Sequence, residues 1–265
     1  MARKKDRVVI KIGSTSVERL GQRKIVNFIS RIIKNYDVVL VSSGAGLRGE
    51  KIAQERGIKK LSKKLLCVLG QSEMYEDYRR LFFKRGLQSM QFLVNEDNND
   101  SLLSWKTQLK EVLENKKIIP ILNGDDLQQI KDLSFGDNEK VASEAQIAIN
   151  AEYVITITDI DGVYNSNPNK NPQAKKFKIL SYQFVEEILD KKNNLVDFYE
   201  SKGAGGMYSK LYYAKKIMDY GNGKVYITNS LIDAEVFLDE NYKTYKKCTG
   251  TYIYRNHNKG GFEMY

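Results

Sequence analysis

Short apolar runs alternate with amphipathic stripes along nearly the whole chain, and this alternation constrains the fold more than any other feature. Val8–Ile12, Asp37–Val41, Met90–Val94, Ile118–Leu122, Tyr153–Thr158 and Val225–Thr228 are short, apolar and largely β-branched, and read as strands. Between them, Arg23–Asn35 places Ile25, Phe28, Ile29, Ile32 and Ile33 on one helical stripe. Lys60–Arg85 reads as one or two helices, and Leu102–Asn115, Lys140–Asn150, Tyr182–Asp190 and Met207–Tyr220 as four more. The end of the chain, Cys248–Tyr265, reads as a terminal hairpin around Gly260-Gly261. Apolar strands separated by helices predict an α/β fold, a three-layer αβα sandwich around a mainly parallel sheet. A length of 265 residues suits one such domain over 1–265.

In sheets of this kind, ligands bind beyond the carboxyl ends of the strands. Here polar or glycine-rich segments follow strands four times: 13–16, 43–46, 123–126 and 158–162. A further one, Gly203-Ala204-Gly205-Gly206-Met207-Tyr208-Ser209-Lys210, opens the helix at Met207. Its glycines expose backbone N–H groups, the helix start adds partial positive charge and Lys210 adds a full one, which together suit an anion such as phosphate. The spacing differs from the P-loop consensus, since the four-residue gap before Gly-Lys is absent.

Several function classes drop out on composition. The single histidine, His257, stands in a polar stretch near the C-terminus, so Cys/His zinc sites and histidine-dependent triads lack their residues. Cys67 and Cys248 are far apart in sequence, which argues against a disulfide framework and for a reducing, cytoplasmic setting. No apolar run approaches the roughly 20 residues that span a bilayer, so no membrane partner is expected. The net charge of +10 invites a nucleic-acid reading. Lysines are nevertheless spread along the chain among acids and asparagines, with no arginine–aromatic cluster for base stacking, and no nucleic-acid partner is expected.

Each remaining motif has a bland reading beside a chemical one. Lys11 stands in an otherwise apolar strand, where burial demands an acid or a ligand unless the side chain escapes at the strand end. Ser42-Ser43-Gly44-Ala45-Gly46 is either a plain turn or a set of hydroxyls and N–H groups for a carboxylate or phosphate. Five carboxylates fall between Asn123 and Glu139, a solvated acidic loop or a holder of an ammonium, a lysine or Mg²⁺. Thr158-Asp159-Ile160-Asp161-Gly162-Val163-Tyr164 ends a strand in acids and glycine, as a junction or as a nucleotide-side contact.

Taken in order, these segments resemble the amino acid kinase family, and within it the glutamate 5-kinases. The resemblance runs through Lys-x-Gly-Ser, Ser-Ser-Gly-Ala, Leu69-Gly-Gln-Ser-Glu-Met-Tyr75, Asn-Gly-Asp-Asp, Phe135-Gly136-Asp137-Asn138, Thr-Asp-x-Asp-Gly-Val-Tyr and the loop at 203–210. It implies ATP and Mg²⁺ as cofactors and L-glutamate as acceptor, with Ser43, Asp126 and Asn138 holding glutamate. Lys11, Thr158, Asp159 and Ala204, Gly205, Gly206, Met207, Tyr208, Ser209 and Lys210 would serve ATP. Catalysis would fall to Lys11 and Lys210, with Asp137 or Asp159 orienting a lysine or the hydrated metal. Three departures stand out: Ala204 and Ser209 where the family usually has threonine, and Glu139 where it has aspartate. The resemblance also implies a homodimer or homotetramer, and a kinase domain without the C-terminal PUA module that many relatives carry. Acetylglutamate, aspartate or a nucleoside monophosphate remain alternative acceptors, and a non-catalytic nucleotide- or RNA-binding protein is the reading from another class.

Overall fold

The structure, a computed structural model, describes residues 5–94, 104–124, 137–190, 206–221, 223–239, 248–255 and 261–265, without the side chain of Asp137. In chain order the strands are β1 (Asp6–Ile12), β2 (Tyr36–Ser42), β3 (Gln88–Val94), β4 (Ile118–Gly124), β5 (Tyr153–Ile157), β6 (Val163–Tyr164), β7 (Lys176–Ser181), β8 (Lys224–Thr228), β9 (Thr251–Tyr254) and β10 (Phe262–Met264). The helices are α1 (Ser14–Leu20), α2 (Gln22–Ile32), α3 (Ala45–Glu55), α4 (Lys63–Phe83), α5 (Trp105–Glu114), α6 (Asp137–Ile149), α7 (Tyr182–Leu189), α8 (Met207–Tyr220) and α9 (Leu231–Asp239).

All ten strands join one sheet, ordered β10-β7-β9-β8-β5-β1-β2-β4-β3, with β6 attached to β7. The six strands from β8 to β3 are mutually parallel, as apolar runs separated by helices require. Period-2 alternation in β1 sorts its side chains between two apolar layers. Val8, Ile10 and Ile12 pack with α2, α4 and α9, through Phe28, Tyr78 and Phe237 among others. Val9 faces the opposite layer, built from α5 to α8 through Leu109, Ala145, Val185 and Leu211. Each such side chain contributes about 1.5–3 kcal/mol when fully buried, so the two layers fix the sheet between them. The expected three-layer αβα sandwich is the observed architecture.

Two details differ from the sequence reading. The chain end forms no hairpin, because β7 lies between its two strands: β9 runs parallel to β7 and antiparallel to β8, and β10 pairs with the other edge of β7. The glycine- and serine-rich segments after β1 and β2 are helix starts, not free turns, since α1 begins at Ser14 and α3 at Ala45. Cys67 and Cys248 are not joined in a disulfide, as expected.

Candidate active site

The alternation that buries Val9 also turns Lys11 toward the layer holding α6 and α8. There its Nζ lies 2.6 Å from Glu139 Oε1, in the first turn of α6. Lys210, in the first turn of α8, reaches the same oxygen at 3.4 Å. Three elements distant in sequence thus deliver two ammoniums to one carboxylate, and the three side chains are only 5–8% exposed.

Burial raises the Glu139 carboxyl, but the charges of Lys11 and Lys210 and their hydrogen bonds outweigh it, so Glu139 titrates below its ordinary range. Lys210 titrates below the usual lysine range: desolvation dominates, Glu139 opposes it and the like charge of Lys11 adds to it. Two cations on one anion leave this centre with a net positive charge, held where water screens it poorly.

Beside this triad opens a cleft of about 570 Å³ whose walls include Lys11, Ser43, Asn138, Thr158, Asp159 and Lys210. Three helices, α1, α3 and α8, start at its edge without a side-chain cap. Their N-caps are Gly13, Gly44 and Gly206, and none offers a side-chain oxygen to the first-turn N–H groups. Those uncapped donors and the helix dipoles favour an anion at each start. Gly44 takes φ 111°, a left-handed conformation that glycine adopts without steric penalty.

Across the cleft, Asn138 ties two strand ends together. Its Nδ2 donates to Ser43 Oγ at 2.8 Å, beyond β2, and its Oδ1 accepts from the Gly124 N–H at 3.3 Å, at the end of β4. Neighbouring Asn123 donates to Gln71 Oε1 at 2.5 Å, which brings α4 to the same wall. At the end of β5, Thr158 Oγ1 donates to Asp159 Oδ1 at 2.9 Å, and the exposed Asp159 contributes to the field around Lys210.

Six of the residues singled out by sequence therefore share one cleft: Lys11, Ser43, Asn138, Thr158, Asp159 and Lys210. Met207 is buried in the apolar layer and Ser209 donates to the Gly206 carbonyl at 2.8 Å, so both side chains serve the helix start itself. Tyr208 is half-buried in the same turn. Asp137 opens α6, with its side chain outside the description, and Asp126, Ala204 and Gly205 lie outside the described residues. Sequence reasoning counted Glu139 among five carboxylates able to hold a lysine and as a departure from the family, and named Asp137 or Asp159 to orient the lysines; among the described side chains, Glu139 is the carboxylate that both lysines meet. Its signal was available: it follows Asp137 by two residues, and a buried Lys11 required an acid. Among the described residues no group of three or more His, Cys, Asp or Glu gathers as a metal site.

A parallel sheet carrying paired lysines and uncapped helix starts at its carboxyl edge defines the class, and the chain belongs to the amino acid kinase family, whose model matches residues 6–229. Among curated relatives, the chain is 35% identical over 228 residues to glutamate 5-kinase 2 of Bacillus subtilis and 31% identical over 228 residues to glutamate 5-kinase of Dictyoglomus thermophilum. Each alignment covers 81% of this chain but 60% and 59% of those proteins, so the chain spans about three-fifths of their length. Among solved structures, UMP kinase from Bacillus anthracis superimposes with a TM-score of 0.63 at 18% identity, covering 98% of this chain and 99% of that one. Carbamate kinase from Giardia lamblia bound to AMP-PNP does so with a TM-score of 0.63 at 17% identity, covering 95% and 99%. These two likenesses establish the fold.

Proposed function

We propose that this chain is a carboxylate kinase that transfers the γ-phosphate of ATP to the side-chain carboxylate of L-glutamate, acting as one catalytic unit over its length. The observation that carries the reading is the buried Lys11–Glu139–Lys210 centre at the cleft floor. The identity to the two glutamate 5-kinases supports the choice of acceptor.

The chemistry needs little from the protein beyond charge and position. A glutamate side chain has an ordinary pKa of about 4.3, so its carboxylate is ionised at neutral pH and no general base is needed. A carboxylate oxygen forms the new bond to the γ-phosphorus while the bond to the β–γ bridging oxygen breaks, releasing ADP and an acyl phosphate. Lys11 and Lys210 neutralise charge on the transferring group and its leaving oxygen, with Glu139 fixing both ammoniums. The uncapped start of α8 meets the ATP phosphates, and Ser43 and Asn138 meet the acceptor. Glu139 is committed to two lysines, and Asp159, exposed on the cleft, would hold Mg²⁺ together with ATP phosphates and water, which would supply further charge neutralisation.

The test is an acceptor screen with ATP and Mg²⁺, trapping product with hydroxylamine. Glutamate-dependent hydroxamate together with ADP is the expected outcome. ADP formation with UMP and none with glutamate would reject the assignment.

A further inference from the structure

The turn that carries Asp159 to the cleft is anchored at its far end by a residue the mechanism does not use. Its near end leaves β5 with the Thr158 N–H donating to the Thr228 carbonyl at 2.9 Å. Its far end enters β6 at Val163, which faces Phe177 across the β6–β7 pair. There Thr251, the first residue of β9, inserts its hydroxyl. Oγ1 accepts from the Val163 N–H at 2.8 Å and donates to the Phe177 carbonyl at 2.5 Å. A hydroxyl can do both at one atom, and an apolar side chain of the same shape can do neither.

Thr251, Val163 and Phe177 are all buried, so this bridge lies where water does not replace it. The fit is close: a Cβ on Gly162 would stand 2.6 Å from Thr251 Oγ1. Thr251 itself stands on fixed ground. Asp233, in the first turn of α9, accepts from the Thr249 N–H at 2.7 Å and the Gly250 N–H at 3.1 Å, and β9 is paired on both sides. The turn has one other tie to β7, the Asp161–Lys176 ion pair at 2.7 Å, but the carboxylate is 36% exposed and such pairs hold weakly.

We infer that Thr251 is a positioning residue for the nucleotide half of the site, its hydroxyl holding the turn so that Asp159 presents its carboxylate to the cleft. The inference rests on the proposed function, which puts ATP phosphates and Mg²⁺ at Asp159. Thr251 does not line the cleft, so its loss weakens nucleotide binding through the turn and spares the acceptor.

The experiment compares wild type with Thr251→Val, which keeps the shape and loses the hydroxyl, and Thr251→Ser, which keeps the hydroxyl. Ile253→Val, two residues on in β9, is the control that loosens the core without touching the turn. Each is measured by melting, by titration of AMP-PNP with and without Mg²⁺, and by initial rates. Thr251→Val is expected to raise the Mg²⁺-dependent Kd for AMP-PNP and the KM for ATP about fivefold to tenfold, with the KM for glutamate within about twofold. The rise is smaller without Mg²⁺, and Thr251→Ser restores most of the affinity. Ile253→Val melts lower and binds nucleotide as wild type does. If Thr251→Val does not fold, Thr251→Cys, with its weakly bonding thiol, shows the same selective loss on a smaller scale. A folded Thr251→Val or Thr251→Cys with unchanged nucleotide affinity, or an Ile253→Val that loses as much, overturns the role of Thr251 and leaves the kinase reading intact. A rise equal with and without Mg²⁺ overturns the route through Asp159. A wild type that binds AMP-PNP but phosphorylates no glutamate removes the kinase reading, while the binding comparison still decides the role of Thr251.

Discussion

Lys11 Nζ and Glu139 Oε1 stand 2.6 Å apart at the floor of the cleft, and Lys210 shares that oxygen from the other side at 3.4 Å. The acid supplies the counter-charge that lets two ammoniums be buried together, and it leaves one positive charge in excess. That excess is what an arriving phosphoryl group meets.

Glu139→Gln keeps the shape and removes that counter-charge. Breaking a buried ion pair from one side typically costs about 3–5 kcal/mol of stability, and losing a placed electrostatic donor about 10²–10³ in rate. Thermal unfolding and kcat measured on the same sample should both fall. A variant with wild-type melting and turnover would show that Glu139 does not organise the lysines.

Activity and stability should part company at alkaline pH. The fold depresses the Lys210 pKa, chiefly by desolvation. Between that lowered value and the ordinary value of about 10.4, the unfolded chain holds a proton that the folded chain has released, so this group adds stability as pH rises. Over the same window the ammonium that catalysis uses disappears, so kcat should drop while melting does not. Lys210→Arg, whose guanidinium stays charged, should move that alkaline limb upward even if its rate at neutral pH is lower. An unmoved limb would assign the titration to another group. On the acid side, the depressed Glu139 pKa contributes stability above about pH 4.3 that is lost as pH falls through its folded value.

Asn138 links the Gly124 N–H to Ser43 Oγ. Asn138→Asp keeps the acceptor for Gly124 but removes the donor to Ser43 and adds a negative charge facing an anionic acceptor. The expected result is a rise of about tenfold or more in the KM for glutamate, with the KM for ATP unchanged, read from initial rates. Equal effects on both substrates would place Asn138 outside the acceptor half.

Some of this site was legible in the chain and some was not, for identifiable reasons. Lys11 announced itself because a lysine inside an apolar strand must find an acid. Ser43 and Thr158 were legible from their position at strand ends, and Asn138 from the family resemblance that Phe135-Gly136-Asp137-Asn138 carries. Glu139 gained its role only when α6 packed on β1, a juxtaposition across 128 residues that no local pattern encodes. α1 and α3 were missed because their N-caps are Gly13 and Gly44, without the hydroxyl or carboxamide that usually marks a helix start. Met207 sits inside a phosphate-type motif, yet its side chain belongs to the core, since a helix start must also anchor itself. The terminal strands misled because a strand of three or four residues carries too little alternation to name its partner, and β7 took the place between them.

The contact between α3 and α4 gives the last prediction, separating a glycine needed for space from one needed for conformation. Gly70→Ala would set a Cβ 2.0 Å from the Ala45 carbonyl oxygen and 2.4 Å from the Gly49 nitrogen, both backbone atoms that cannot swing aside. The helices must separate, at a cost of about 1–3 kcal/mol or more, and the start of α3 moves with them. Gly21→Ala meets nothing within 4 Å but must hold φ 75°, which costs about 1–2 kcal/mol in the left-handed region. Both variants should melt lower, by about 2–4 °C per kcal/mol in a chain of this size. Only Gly70→Ala should also raise the KM for the acceptor, because only it displaces Ala45 and Gly46 at the cleft. A Gly70→Ala enzyme with normal acceptor affinity would show that the glycine contact packs the helices without shaping the site.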